Sequence, residues 1–175
     1  GCTGIVELHI PAALQSIGNG AFHRCTGIVV LQLPAALQSI GGGAFFGCTG
    51  IVDLQLPATL QSIGDQAFRG CTGLVEVQLP DTLQYIGEGT NSHWLTGAFH
   101  GCSSLARVLA PGSLVRGEMA DPTKAFAGCP VLATGLTPLS SVRLLRRTLW
   151  HPTMHSWCTQ NQRMCVLAVL VAELR

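Results

Sequence analysis

Eight cysteines and six histidines are the side chains in this 175-residue sequence that could hold a metal or exchange thiol for disulfide. The densest group is His151, His155 and Cys158, spaced H-x3-H-x2-C, with Cys165 further on. Thiolates and neutral imidazoles are ligands that zinc takes, four at a time in a tetrahedron. The paired Cys-x2-Cys that usually completes such a site is absent, and Cys165 falls within a helical pattern. Partly buried histidines and core cysteines therefore stand ahead of a zinc-binding C-terminal segment, and no cofactor is expected. Gly41-Gly42-Gly43 has the composition of a phosphate-binding loop but occupies a turn that recurs along the chain. There is no nucleophile motif and no paired carboxylate set, so the residues point away from an enzyme.

The remaining cysteines carry a different message. Cys2, Cys25, Cys48 and Cys71 are each 23 residues apart, and the text between them nearly repeats. A period of 20–29 residues with regular leucines is the signature of leucine-rich repeats. One apolar column runs Ile5, Ile28, Ile51, Leu74, Leu105, and a second runs Leu8, Leu31, Leu54, Val77, Val108. A third is Ile10, Leu33, Leu56, Leu79 and Ala110. Their L-x-x-L-x-L spacing ends in a period of two, which predicts one short strand per repeat with one face buried. A proline follows each strand (Pro11, Pro34, Pro57, Pro80, Pro111) and ends its hydrogen-bond ladder.

Each repeat continues with a Leu/Ile pair and a glycine: Gly18, Gly41, Gly64 or Gly87. Those glycines are expected to supply a backbone angle that other residues resist. Ala-Phe closes the unit, and stacking should place Phe22, Phe45, Phe68, Phe99 and Phe126 in one interior column. Cys2, Cys25, Cys48, Cys71, Cys102 and Cys129 form another column, expected to be reduced and buried. No unit buries its apolar face alone, so neighbours must stack into a continuous core.

The unit C-x-x-L-x-x-[LV]-x-[LI]-P-x-x-L-x-x-I-G-x-x-A-F-x-x, over about residues 2–128, resembles the Treponema/BspA-like class of leucine-rich repeats. The resemblance implies a β-rich solenoid of short parallel strands with little helix on its back. It also implies an interaction role, since bacterial members are typically surface adhesins. The family has no fixed binding motif, so it assigns no residues here.

The candidate binding residues come from positions that should face outward. One column reads Glu7, Val30, Asp53, Glu76, Arg107, and the other His9, Gln32, Gln55, Gln78, Leu109. Stacked glutamines can hydrogen-bond one another along a ladder. The alternative is a mildly acidic recognition stripe, a common use of repeat surfaces. The fourth repeat carries eight extra residues within Gly87–Gly97, including His93 and Trp94. Insertions map to loops, and an amphipathic indole suits an interface.

Residues 1–139 thus read as a solenoid of five clear repeats, the last two with insertions, and a degenerate sixth. Residues 140–175 read as two helical patterns forming a C-terminal cap or a docking segment. Charged residues make up only 11% of the chain and net charge is +1, which gives no electrostatic case for nucleic acid or an acidic membrane surface. The longest apolar run, Met164–Ala172, is far short of the roughly 20 residues that cross a bilayer. The first residue is Gly1, so the chain reads as a fragment or processed product, and cytoplasm and cell surface both remain open. The expected function is to bind another protein, with a structural spacer as the alternative. Oligomeric state is not legible.

Overall fold

The computed structural model describes residues 1–4, 6–89, 96–112, 121–131 and 137–138. All lie in the unit Gly1–Leu139. The expected helical tail, with His151, His155 and Cys158, lies outside the described residues, as do His93 and Trp94.

In chain order the elements are β1 (Glu7–Leu8), β2 (Ser16–Ile17), β3 (Val30–Gln32), β4 (Ser39–Ile40), β5 (Asp53–Gln55) and β6 (Ser62–Ile63). There follow β7 (Glu76–Gln78), β8 (Tyr85–Ile86), β9 (Arg107–Ala110), the four-residue α1 (Pro122–Ala125) and β10 (Thr137–Pro138). One sheet has the order β1-β3-β5-β7-β9-β10 and the other β2-β4-β6-β8, every pairing parallel. Register follows the period: Leu8 pairs with Leu31, Leu31 with Leu54, Leu54 with Val77 and Val77 with Val108. The L-x-x-L-x-L strand is the larger sheet. The smaller sheet is an addition, because a two-residue strand is too short to show any alternation in sequence. It hydrogen-bonds across the rungs from Gln38 to Gln15, Gln61 to Gln38 and Gln84 to Gln61, each at 2.8 Å. The sixth strand, β10, pairs with β9 although its sequence lacks the leucine spacing.

The phenyl column runs through the buried core. Successive rings from Phe22 to Phe126 stand 5.1–5.3 Å apart and lie within 15° of parallel. Four of the five are fully buried, and Phe22, on the outermost rung, is half-buried.

The thiol column is more than filling. Cys48, Cys71, Cys102 and Cys129 each donate S–H to the phenylalanine carbonyl of the preceding rung, at 3.0–3.2 Å. All six described cysteines are free and five are buried. Cys2 departs from the expectation. It is exposed, on the first described rung. Native alkylation should therefore label Cys2 rapidly, and Cys25, Cys48, Cys71, Cys102 and Cys129 only after denaturant is added. Mass spectrometry that maps a label on native protein, gained at the same rate, to Cys25, Cys48, Cys71, Cys102 or Cys129 would overturn the buried column.

Burial pushes the Cys48 thiol up from 9.0 to about 11, and it raises Cys71 further. A thiol that ionises less readily when folded contributes stability in full below the unfolded value. For Cys48 that contribution is lost as pH rises from about 9 to about 11. Urea midpoints are thus expected to fall over that window, and Cys48→Ala should flatten the fall. An unchanged slope in that variant would remove Cys48 as a cause.

Two further expectations change. Leu109, placed in the outward column by sequence, is 7% exposed: where leucine replaces glutamine, the position is closed to solvent. The glycines after each Leu/Ile pair (Gly18, Gly41, Gly64 and Gly87) do not hold a left-handed backbone; among the described residues the glycines that do are Gly20, Gly43, Gly47, Gly70, Gly89, Gly101 and Gly128. Close stacking is the reason instead at Gly41, Gly64 and Gly87, whereas a Cβ on Gly18 would meet nothing within 4 Å. A Cβ on Gly64 would lie 2.6 Å from Gly42 N, and one on Gly87 2.5 Å from Asp65 Cα.

Candidate interaction surface

The central strands of the larger sheet, β3, β5 and β7, are three residues long, with one side chain inward and two outward. Their parallel register brings the predicted residues together on one face. Glu7, Val30, Asp53, Glu76 and Arg107 occupy one line, and Gln32, Gln55 and Gln78 the next. His9, just after β1, is exposed and walls a shallow depression of about 200 Å³ with Ile10, Val30, Gln32 and Pro34. Arg107 approaches Glu76 at 3.7 Å with both side chains about half exposed, so the pair contributes at most about 1 kcal/mol.

The glutamine ladder differs from expectation. Gln32, Gln55 and Gln78 are exposed and stacked, yet no side-chain hydrogen bond joins them among the described residues. Their amides face water and keep their donors and acceptors for other uses.

Sequence reasoning missed an apolar stripe beside this face. Val6, Val29, Val52 and Val75 each stand one step before a larger-sheet strand and are 45–65% exposed. Backbone bonds from Val29 to Val6 at 3.4 Å and Val52 to Val29 at 3.3 Å hold them in rung register. The signal was present: a branched apolar residue recurs at an outward position in four repeats. Val30 widens the stripe. A contiguous apolar patch rimmed by polar groups is unusual on a surface with no partner.

The insertion after β8 is described at its neck. Gly89 and Thr96 form an antiparallel bridge. The Asp65 carboxylate accepts the Gly89 N–H at 3.1 Å and the Tyr85 hydroxyl at 3.3 Å. Glu88 accepts the Asp121 N–H at 2.7 Å and stands 3.7 Å from Lys124. The neck thus leaves the chain beside the smaller sheet and not the larger one. Partial burial, then the Asp65 charge and hydrogen bond, push the Tyr85 phenol above its ordinary value of 10.0. Tyr85 is the sole tyrosine of the chain, so its ultraviolet titration is unambiguous. Asp65→Asn should move that titration down, and an unmoved curve would show that the carboxylate does not hold the neck.

Among the described residues no group of histidine, cysteine or carboxylate side chains is arranged to hold a metal. None of their helices is long and apolar enough to cross a membrane.

Stacked parallel strands in a 23-residue register, closed over columns of leucine, phenylalanine and cysteine, define a leucine-rich-repeat solenoid. Residues 1–129 match the BspA type leucine rich repeat region in six copies, and the chain belongs to that family. It is similar to a crystal structure of a leucine-rich repeat protein from Bacteroides ovatus, at 33% identity and a TM-score of 0.52, over 59% of this chain and 25% of that one. A leucine rich cell surface protein from Faecalibacterium prausnitzii aligns at 24% identity and a TM-score of 0.55, over 74% of this chain and 31% of that one. The leucine-rich repeat protein of T. pallidum aligns at 29% identity and a TM-score of 0.43, over 56% and 53%. The chain thus spans a quarter to about a half of the solved chains it matches. The curated proteins contain no match.

Proposed function

We propose that this chain is a non-catalytic module that binds another protein through the outer face of the larger sheet. The observation that carries the reading is the exposed Val6–Val29–Val52–Val75 stripe beside the unpaired amides of Gln32, Gln55 and Gln78. Apolar area in such a stripe gives affinity, and the free amides with Asp53 and Glu76 give register and selectivity. Rigid parallel rungs supply the preorganisation that limits the entropic cost of association. Glu7 and His9 extend the same face at β1. The insertion at 87–97, with His93 and Trp94, is a separate contact in this proposal because its neck springs from the other sheet. An adhesin-like setting fits the cell-surface description of the Faecalibacterium prausnitzii protein, and here it is a proposal only.

Site-directed photo-crosslinking in the host cell tests the face. A crosslinker at Gln55 should give a discrete protein adduct that Val52→Asp abolishes, while a crosslinker at Gln38, on the smaller sheet, gives none. Equal adducts from both sheets, or no effect of Val52→Asp, would exclude this surface.

A further inference from the structure

At the corner after each Ala-Phe pair, successive rungs set His23, Phe46, Arg69 and His100 in one column. Backbone bonds keep them in step: Arg24 N–H donates to Phe46 O at 2.7 Å, Gly47 to Arg69 at 2.7 Å and Gly70 to His100 at 2.9 Å. The His23 ring lies 4.9 Å from that of Phe46, and the Arg69 guanidinium carbon 5.2 Å from the same ring's centre. Arg24 joins this group, since its Cγ lies 3.3 Å from where a Cβ on Gly47 would stand, so its stem runs across the next rung.

Two features distinguish this ridge. Arg107 pairs with Glu76 and Lys124 with Glu88, whereas no ion pair joins Arg24 or Arg69 to a carboxylate among the described residues. Arg24 also holds a left-handed backbone, φ 56°, at a corner where the later rungs use Gly47, Gly70, Gly101 and Gly128, φ 68–75°. An arginine resists that conformation and glycine does not. A strained surface residue whose charge meets no carboxylate among the described residues is a reason to look for a ligand.

We propose that this ridge is a second binding surface, and that it takes an extended acidic peptide patterned acid-x-apolar-x-acid. Residues two apart in an extended strand share a face at about 6.7 Å, and rungs repeat at about 4.8 Å. The apolar side chain then packs beside the Phe46 ring, and each flanking carboxylate meets one long guanidinium arm, with His23 and His100 at the ends. Two guanidiniums around a phenyl ring are too few charges for nucleic acid, whose binding grows with every phosphate neutralised.

The probe is a fluorescein-labelled peptide containing Glu-Gly-Leu-Gly-Glu, read by anisotropy at low salt. Saturable binding is expected, weakened about tenfold by Arg24→Gly, by Arg69→Gln or by replacing both glutamates with glutamine. Arg24→Gly is the decisive variant, because it restores glycine at a left-handed corner. Its thermal midpoint should equal or exceed that of the parent while affinity falls, which separates lost binding from lost folding. Val52→Asp, on the larger sheet, should leave the peptide affinity unchanged. Unaltered affinity in Arg24→Gly, equal binding of the glutamine peptide, or binding of a single-stranded RNA in place of the peptide would each overturn the proposal.

Discussion

Phe68→Ala is expected to cost about 3–5 kcal/mol, a large share of the about 5–15 kcal/mol that ordinarily stabilises a domain. Phe68 is fully buried, and its ring lies 5.3 Å from Phe45 and 5.1 Å from Phe99, nearly parallel to both. Its backbone is held by the neighbouring rung, N–H to Ala98 O at 2.8 Å and its carbonyl by the Cys102 thiol at 3.1 Å. Those bonds keep the flanking rungs from closing over the void, so the cavity cost adds to the lost transfer energy. A stack in which each rung contacts only its neighbours has no other path around a damaged interface. Phe22→Ala removes the same ring from the half-buried outer rung and should cost about 1–2 kcal/mol, in proportion to the smaller apolar area lost. Urea unfolding of both variants is the measurement. Equal midpoints for the two would mean that the phenyl column is not what holds the rungs together.

Two glycines of one sequence column should behave oppositely. Gly64→Ala places a Cβ 2.6 Å from Gly42 N, 2.9 Å from Gly41 C and 3.0 Å from Gly42 Cα, all backbone atoms of the preceding rung. Backbone cannot swing aside as a side chain does, so the rungs must part, and a cost of about 3 kcal/mol is expected. Gly18→Ala meets nothing within 4 Å. Gly18 also lacks the left-handed conformation, so alanine there should be neutral or stabilising by about 0.4–1 kcal/mol through the unfolded chain. Thermal melts that show the same shift for both would mean that the column is glycine for a reason other than rung spacing.

The contrast shows what a repeat conveys. From the text alone, Gly18 and Gly64 are the same letter in the same place, and a special backbone angle was the natural explanation for both. The angle belongs instead to Gly20, Gly43, Gly47 and their equivalents, two or more positions further on. Cys2 was read with Cys25 and Cys48, yet it is exposed where the others are buried. The candidate site was half legible. Asp53, Gln55, Glu76 and Gln78 do share a face, because outward positions of stacked strands must align. The valines at 6, 29, 52 and 75 were read past, since an apolar letter next to an inward one looks like core.

What the sequence determined by itself was the period, the inward columns and the parallel stacking of the larger sheet. In a solenoid each rung touches the rung one period away, so a contact is written as a repeat and can be read from spacing alone. Only the tertiary structure decided the rest: the second ladder at Ser16–Ile17 and its partners, the crowding at Gly64, the open amides of Gln55 and Gln78, and the strained Arg24 over Gly47. These depend on how closely two backbones approach and on which neighbour covers a side chain. Neither quantity is periodic in the residue types, so only the folded stack sets it.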